Sequence, residues 1–557
     1  MKNYILKFTM LSIIAVSSFS CSKKIDEVYL NPNTLVRVPT EQLLPQIISV
    51  MAANYATTPP ISGGHGTMSD IRYIGQYVQN WHYSNTLSPF DQMGYINSVA
   101  DIAQSIWRMH YYDIGQNNNR MIEWAMEEKK WDYAGVGKAI FAWSWLTLTD
   151  YHGDVILKDA FNTSLITFRY DTQPEVYEHV KRLCFESLAL LNNTGDNASP
   201  QNLAKGDAYF YQGDVNKWKK FVYGILARVH HRYSNKAEYK ADSVIHYAKL
   251  AMTSNAENAM VKFEASVVPS TNNFFSISRP NNLNGSATTN PTAIRQSGYI
   301  ANLVNGLNPA VSFTGSEDPR AFYMLRLNAN NTFRGLAPNK GQNALNANDR
   351  PQNFWGISQV SSTIQNGAPS NEDSIRFIFR RSAPFPIMTA AEMKFLRAEA
   401  EFRKGEKGTA WQSYGEGIRM HFDMLKTTFN AAIPAERQIT DATRDAYLAK
   451  VEGTSGDLTM SKIMLQKYIA MWGHGILETW VDMRRFHYTD TWPGESTQVY
   501  AGFALPTGID LFPDNAGKPV YRYQPRFNSE YVWNINELRR IGATDRDYHT
   551  KKIWFAE

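Results

Sequence analysis

The chain has 557 residues, and its 57 Lys and Arg against 52 Asp and Glu leave a formal charge of only +5. So small and dispersed an excess excludes a nucleic-acid-binding class, which needs a concentrated basic face. The only cysteines are Cys21 and Cys184, too few for a disulfide-stapled fold, so stability must come from a large core.

Residues 1–20 read as an export leader. Lys2 and Lys7 make a positive start, Phe8 to Val16 an apolar run, and Ser17, Ser18 and Ser20 small residues before Cys21. The apolar run falls short of the roughly 20 residues that span a bilayer, so it is expected to be processed. Cys21 then becomes the acylated N-terminus of a lipoprotein, and residues 21–40, polar and turn-rich around Asn31-Pro32-Asn33, a tether. Residues 41–557 form a single domain.

Helical periodicity starts near Glu41, with Leu43, Ile47 and Met51 on one face. Ile140–Leu148 is apolar all round and predicts a buried helix. Thr172 and Glu175 are spaced as a capping box, and behind them Val180, Cys184, Leu188 and Leu191 share a face, which makes Cys184 a core residue. Asp214 caps a helix with a stripe of Trp218, Phe221, Val222, Ile225 and Val229. The helical scaffold is thus assigned to 41–264 and, after a break, to 386–490.

Residues 265–385 are crowded with Asn, Gly, Pro, Ser and Thr and show no sustained period, so they are read as a loop-rich insertion with short strands. Thr389 and Glu392 make another capping box, opening a helix through Phe402 that stops at Gly405. Trp411, Tyr414, Ile418 and Phe422 mark a second helix at once, and the pair resembles a tetratricopeptide-type hairpin, as does the pair at 216–234 and 237–254. One last helix is predicted over about 461–486, with Trp472, Ile476 and Trp480 on one face and Arg484 placed to lie along Trp480. Residues 491–557 read as irregular. The fold class is mainly α, with helical hairpins as scaffold and the insertion as display loops.

Six segments in order resemble the SusD/RagB family of nutrient-binding outer-membrane lipoproteins. They are Asn31-Pro32-Asn33 after the lipid-bearing cysteine; Asp150-Tyr151-His152-Gly153-Asp154-Val155 closing a helix; Trp218 to Arg232; Met388 to Phe402; Lys467 to Arg485; and Pro525 to Tyr531. In the second, Ile156 stands where the family has Pro, and His152 separates Tyr from Gly. The resemblance implies a SusD-like fold, no cofactor, and a surface lipoprotein that captures a nutrient, usually a glycan. The nutrient passes to a SusC-like TonB-dependent outer-membrane transporter, over which the lipoprotein sits as a lid.

No catalytic signature is present: no GxSxG, HExxH, P-loop or dinucleotide fingerprint. Glu175 and His179 read as a surface pair, His230 and His231 face different sides of a helix, His65 sits in a glycine-flanked flexible loop, and Glu392 and Arg397 serve scaffold ion pairs. Aromatic residues reach 13%, which suits stacking on sugar rings. Arg72, Tyr73, Trp81, His82 and Tyr83 form one aromatic and polar group. The insertion adds Phe274, Phe275, Arg279, Asn281 and Asn282, then Asn353, Phe354 and Trp355. The ligand-binding set expected from these is Arg72, Tyr73, Trp81, Tyr83, Phe275, Asn353, Phe354 and Trp355, taking an oligosaccharide. An oligopeptide receptor, an exported helical adaptor and an α-rich glycan hydrolase, needing only two facing carboxylates, are the alternatives.

Overall fold

The computed structural model describes residues 37–52, 65–66, 70–95, 105–264, 294–306, 315–352, 376–380, 382–525 and 527–557. Cys21 and most of the tether lie outside them, as do Phe274, Phe275, Arg279, Asn281, Asn282, Asn353, Phe354 and Trp355.

The first principal elements are α1 (Thr40–Val50), α2 (Ile71–Tyr77), β1 (Trp81–Tyr83), α3 (Gly115–Glu127) and α4 (Trp131–His152). Arg37 enters α1 by forking onto Glu127 and Glu128, 2.7 Å from each. α4 is buried along almost its whole length, as its apolar Ile140–Leu148 stretch requires. α5 (Gln173–Leu191) opens on the predicted box, Glu175 accepting the Thr172 backbone N–H at 2.9 Å. It buries Val180, Cys184, Leu188 and Leu191 together. α6 (Val215–His231) begins where the Asp214 carboxylate accepts the N–H groups of Asn216 and Lys217, and α7 (Ala241–Leu250) returns beside it.

β2 (Ala259–Val261) pairs antiparallel with β4 (Phe385–Met388), Val261 opposite Phe385. The two ends of the insertion are therefore clasped side by side. Inside it lie β3 (Ile294–Gln296) and two short helices, Gly298–Val304 and Ala321–Met324. α8 (Ala390–Arg403) starts at Thr389, whose hydroxyl accepts the Glu392 N–H. Glu392 does not close the expected box, because its carboxylate is taken by Arg228 instead. α9 (Lys407–Phe429), α10 (Asp441–Val451), α11 (Met460–Met471) and α12 (Ile476–Arg485) complete the scaffold. The C-terminal segment is not wholly irregular: Asn528–Trp533 and Ile535–Arg540 are helical.

From α3 to α9 each of these helices packs on the next, giving the stacked hairpins the sequence predicts; α11 then packs on α8, and α12 on α2 and α4. The single helix expected over 461–486 is broken. Gly473 adopts φ +83°, a left-handed conformation that glycine tolerates and that ends α11. Asn80 seals the break: its side-chain oxygen accepts the Gly473 N–H at 3.0 Å, and its carbonyl accepts the Trp472 indole N–H at 3.2 Å.

Buried ion pairs stitch the stack. Arg228 of α6 donates to both oxygens of Glu392 at 2.6 and 2.7 Å. Arg232 joins Asp150 of α4 to Glu478 of α12 at 2.8 and 2.7 Å. Arg485 grips Glu399 at 2.8 and 2.9 Å and Asp482 at 2.6 Å. Burial alone would raise the Glu399 carboxyl, but Arg485, His231 and Arg403 outweigh it and hold it well below the usual range. Such pairs add little net stability for their number, since each charge also gives up its water.

Candidate functional site

β1 runs antiparallel to β3, with Trp81 opposite Gln296 and Tyr83 opposite Ile294. The aromatic group at 72–83 and β3 of the insertion, separated by more than 200 residues of sequence, thus share one ladder. Ile294 follows directly in the chain after the segment carrying Phe275.

The structure corrects the role expected of Trp81. Its ring has no exposed surface, its indole N–H donates to the Arg72 carbonyl at 2.8 Å, and it meets Trp472 edge-on at 6.2 Å. Gly75 makes room for it, since a Cβ there would lie 2.4 Å from Cε2. A ring enclosed in this way offers no face to a sugar; it packs the scaffold. Arg72, Tyr73 and Tyr83 are also more than nine-tenths buried. The Arg72 guanidinium donates to the Tyr73 hydroxyl at 2.5 Å, and the Tyr73 ring stacks on Phe90 with centroids 4.0 Å apart. His82 and Asp91, both enclosed, lie 2.9 Å apart, and Asp91 also accepts the Tyr83 N–H. Burial pushes the Asp91 carboxyl up, against the pull of His82. This group is a rigid floor.

Above the floor, three distant segments meet at the surface. Gln342 donates its backbone N–H to the Ser84 carbonyl at 2.7 Å, and Leu87 donates to the Asn339 side-chain oxygen at 2.6 Å. Asn339 in turn donates to Asp510 at 3.2 Å, Lys340 pairs with Asp510, and Gln92 donates to the Ile509 carbonyl. Leu87 and Ile509 stand 75% and 90% exposed on this rim. An apolar pair held amid amide, ammonium and carboxylate groups can meet both the C–H faces and the hydroxyls of a sugar. Composition alone misses Leu87, Asn339, Ile509 and Asp510. Only the turn glycines Gly341 and Gly508 hint at them, because the contacts join residues up to 417 positions apart.

Two internal cavities lie beside the α11–α12 break. One, about 30 Å³, is lined by Phe379, Phe385, Met424 and Trp472; the other, about 20 Å³, by His65, Arg228, His474 and Glu478. Each has room for little more than a water molecule, far below the ~300 Å³ of a ligand pocket. His65 is therefore not the flexible-loop residue its glycine neighbours suggest: it is buried against Trp143, ring centroids 5.6 Å apart. That burial lowers its imidazole to about 3. His231 pairs with Glu399 in the core while His230 stacks on Tyr247, so they do face different sides. Among the described residues no three His, Cys, Asp or Glu side chains are grouped to hold a metal ion, and no helix is long and apolar enough to cross a membrane.

A family model described as SusD-like, starch-binding associating with outer membrane, matches residues 32–506. The chain belongs to the SusD-like family. The family expected from the sequence is thereby confirmed, the last of the six segments, Pro525 to Tyr531, lying beyond the matched residues. The SusD-like chain is similar in fold to a SusD homolog from Bacteroides fragilis NCTC 9343, at 16% identity and a TM-score of 0.64, covering 93% of this chain and 100% of that one. It is similar to a SusD/RagB family protein from Bacteroides thetaiotaomicron VPI-5482, at 20% identity and a TM-score of 0.63, over 93% and 99% of the two chains. A chitin-binding SusD homolog from Flavobacterium johnsoniae matches at 17% identity and a TM-score of 0.63, over 93% and 98%. No match was found among curated proteins. At such identities it is the SusD-like fold that is shared.

Proposed function

We propose that this SusD-like chain is a non-enzymatic, lipid-anchored receptor on the outer membrane, facing the cell exterior. It holds an oligosaccharide or polysaccharide and delivers it to a SusC-like TonB-dependent transporter. The observation that carries the reading is the family match over residues 32–506, whose description joins starch binding to the outer membrane. Two of the similar structures are named as chitin-binding proteins, which favours a glycan over a peptide. Cys21 supplies the anchor. Phe275, Asn353, Phe354 and Trp355 supply stacking rings and an amide, and the exposed Leu87–Ile509 rim is a further contact surface. Arg72, Tyr73, Trp81 and Tyr83, being buried, serve the scaffold instead.

The test is calorimetric titration of the mature chain with malto-oligosaccharides, chito-oligosaccharides and a set of oligopeptides, repeated with Trp355→Ala and Phe275→Ala. Saccharide binding weakened by either change is the expected result. Undiminished binding in both removes these loops from the site, peptide-only binding removes the saccharide reading, and new reducing ends after incubation would make the chain a hydrolase. Labelled palmitate incorporated by the wild type and lost in Cys21→Ser tests the anchor.

A further inference from the structure

A groove remains that belongs to neither the rim nor the internal cavities. It lies where the start of α7 meets the end of α8, and it is lined by Tyr239, Asp242, Ser243, Arg403, Lys404 and Trp492, with a volume of about 550 Å³. That is within the range of small-ligand clefts and more than ten times either internal cavity. It shares no lining residue with the rim.

Its walls are held together through Arg403, itself a lining residue. The Arg403 guanidinium carbon lies 4.9 Å from the Trp492 ring centroid and 5.9 Å from that of Tyr239. Arg403 is itself held by Glu399, at 2.9 Å, and by the Ser234 carbonyl. Trp492 also meets Phe402 edge-on at 6.1 Å, and the Tyr239 hydroxyl lies 3.2 Å from the His231 ring nitrogen. Both rings are half-buried, so they are anchored yet still present surface to the groove. At the rim Lys404 pairs with Asp242 at 2.6 Å, and Lys240 and Ser243 stand beside them.

This chemistry selects among ligands. Two of the three lining cations are paired, Arg403 with Glu399 and Lys404 with Asp242, and Lys240 adds one exposed ammonium, so a phosphate or carboxylate would meet a single ammonium rather than a cluster of unpaired cations. Aromatic surface combined with a carboxylate, an ammonium and a hydroxyl suits a neutral ring with apolar C–H faces and hydroxyl edges. We infer that the groove is a second saccharide subsite, seating a pyranose face against Trp492 and Tyr239 with its hydroxyls on Asp242, Ser243 and Lys404. The inference rests on the saccharide-receptor reading but places the extra contact on the helical frame, away from the insertion. A receptor with two separated contacts grips a long chain by both, raising its hold on polymers over short oligomers.

The test follows the Trp492 indole N–H signal in a ¹H–¹⁵N spectrum of the mature protein titrated with malto- and chito-oligosaccharides, alongside calorimetry of Trp492→Ala, Trp492→Phe and Tyr239→Ala. The expected result is a shifted Trp492 signal, and in Trp492→Ala an affinity for long oligosaccharides lowered about tenfold, the loss of one hot-spot ring, largely restored in Trp492→Phe. The wild-type signal is read without mutation, so a poorly folded variant does not blunt the test. Saccharide binding with an unmoved Trp492 signal and unchanged variants overturns the subsite and leaves the receptor standing. A signal moved only by the purified transporter overturns it in favour of a protein contact, and no saccharide binding at all overturns both.

Discussion

Arg484 lies flat on Trp480, its guanidinium carbon 3.6 Å from the ring centroid, while its N–H groups donate to the carbonyls of Trp480, Asp150 and Tyr521. One side chain thus ties α12 to the end of α4 and to the C-terminal segment. Arg484→Lys keeps the charge, but a single ammonium cannot reach three carbonyls arranged around a ring. Equilibrium urea unfolding should show a loss of about 3–6 kcal/mol, the worth of two charge-assisted bonds. A loss below about 0.5 kcal/mol, typical of a surface change, would contradict the assignment.

Trp81→Ala is expected to act on stability first. Removing a fully enclosed ring leaves a cavity worth about 3–5 kcal/mol. The melting temperature should fall sharply, and Trp81→Phe should recover most of it while losing the bond to the Arg72 carbonyl. Gly75→Ala probes the same contact from the other side, through the clash with Cε2, and should cost about 1–3 kcal/mol by overpacking. A Trp81→Ala protein as stable as the wild type would restore Trp81 to the ligand set.

The Arg228–Glu392 pair separates a stabilising bridge from a merely necessary one. Arg228→Met strands a wholly enclosed carboxylate and should cost about 3–5 kcal/mol. Arg228→Met combined with Glu392→Met removes both charges and should regain part of that loss, the remainder arising at Glu478, 3.3 Å from Arg228, which loses one of its two guanidinium partners. Additive single-variant losses, measured by the same urea unfolding, would mean the two side chains act independently.

Acid sensitivity follows from buried imidazoles. Burial lowers His65, His110 and His152 from 6.5 to about 3. Between those limits the unfolded chain takes up protons that the folded chain refuses, so these groups make stability fall as pH falls. Asp70 works the other way: burial raises it from 3.8 to about 7, so its contribution is lost as pH rises through that value. His110→Asn, which can keep a partner at Ser144, should flatten the dependence between pH 4 and 6 by one proton, about 1.4 kcal/mol per pH unit. An unchanged slope in unfolding runs at pH 4, 5, 6 and 7 would show that His110 is charged in the fold.

What the sequence reveals and what it hides divides by distance along the chain. The caps at Thr172 and Asp214 and the stack of Arg484 on Trp480 join residues two to four apart, and all are legible in the amino-acid order. The break at Gly473 is not read from the sequence, where the four-residue spacing of Trp472, Ile476 and Trp480 predicts one continuous helix. Asn80 is what makes that break stable, and its partners lie about 390 residues away. Trp81 and His65 sit in segments whose polar, glycine-bearing composition argues for surface. Their burial depends on Trp472 and Trp143, which no local pattern brings near. The rim at Leu87 is hidden for the same reason.

The clasp of Val261 against Phe385 has an evolutionary consequence. Between those ends the insertion is pinned again, β3 to β1 and Arg320 to Tyr447 of α10 and Gln466 of α11, so length is free to change only in the stretches between anchors. Doubling such a stretch adds only about 0.6 kcal/mol of closure entropy. Selection can therefore vary those stretches at little cost while the anchors hold the frame unchanged.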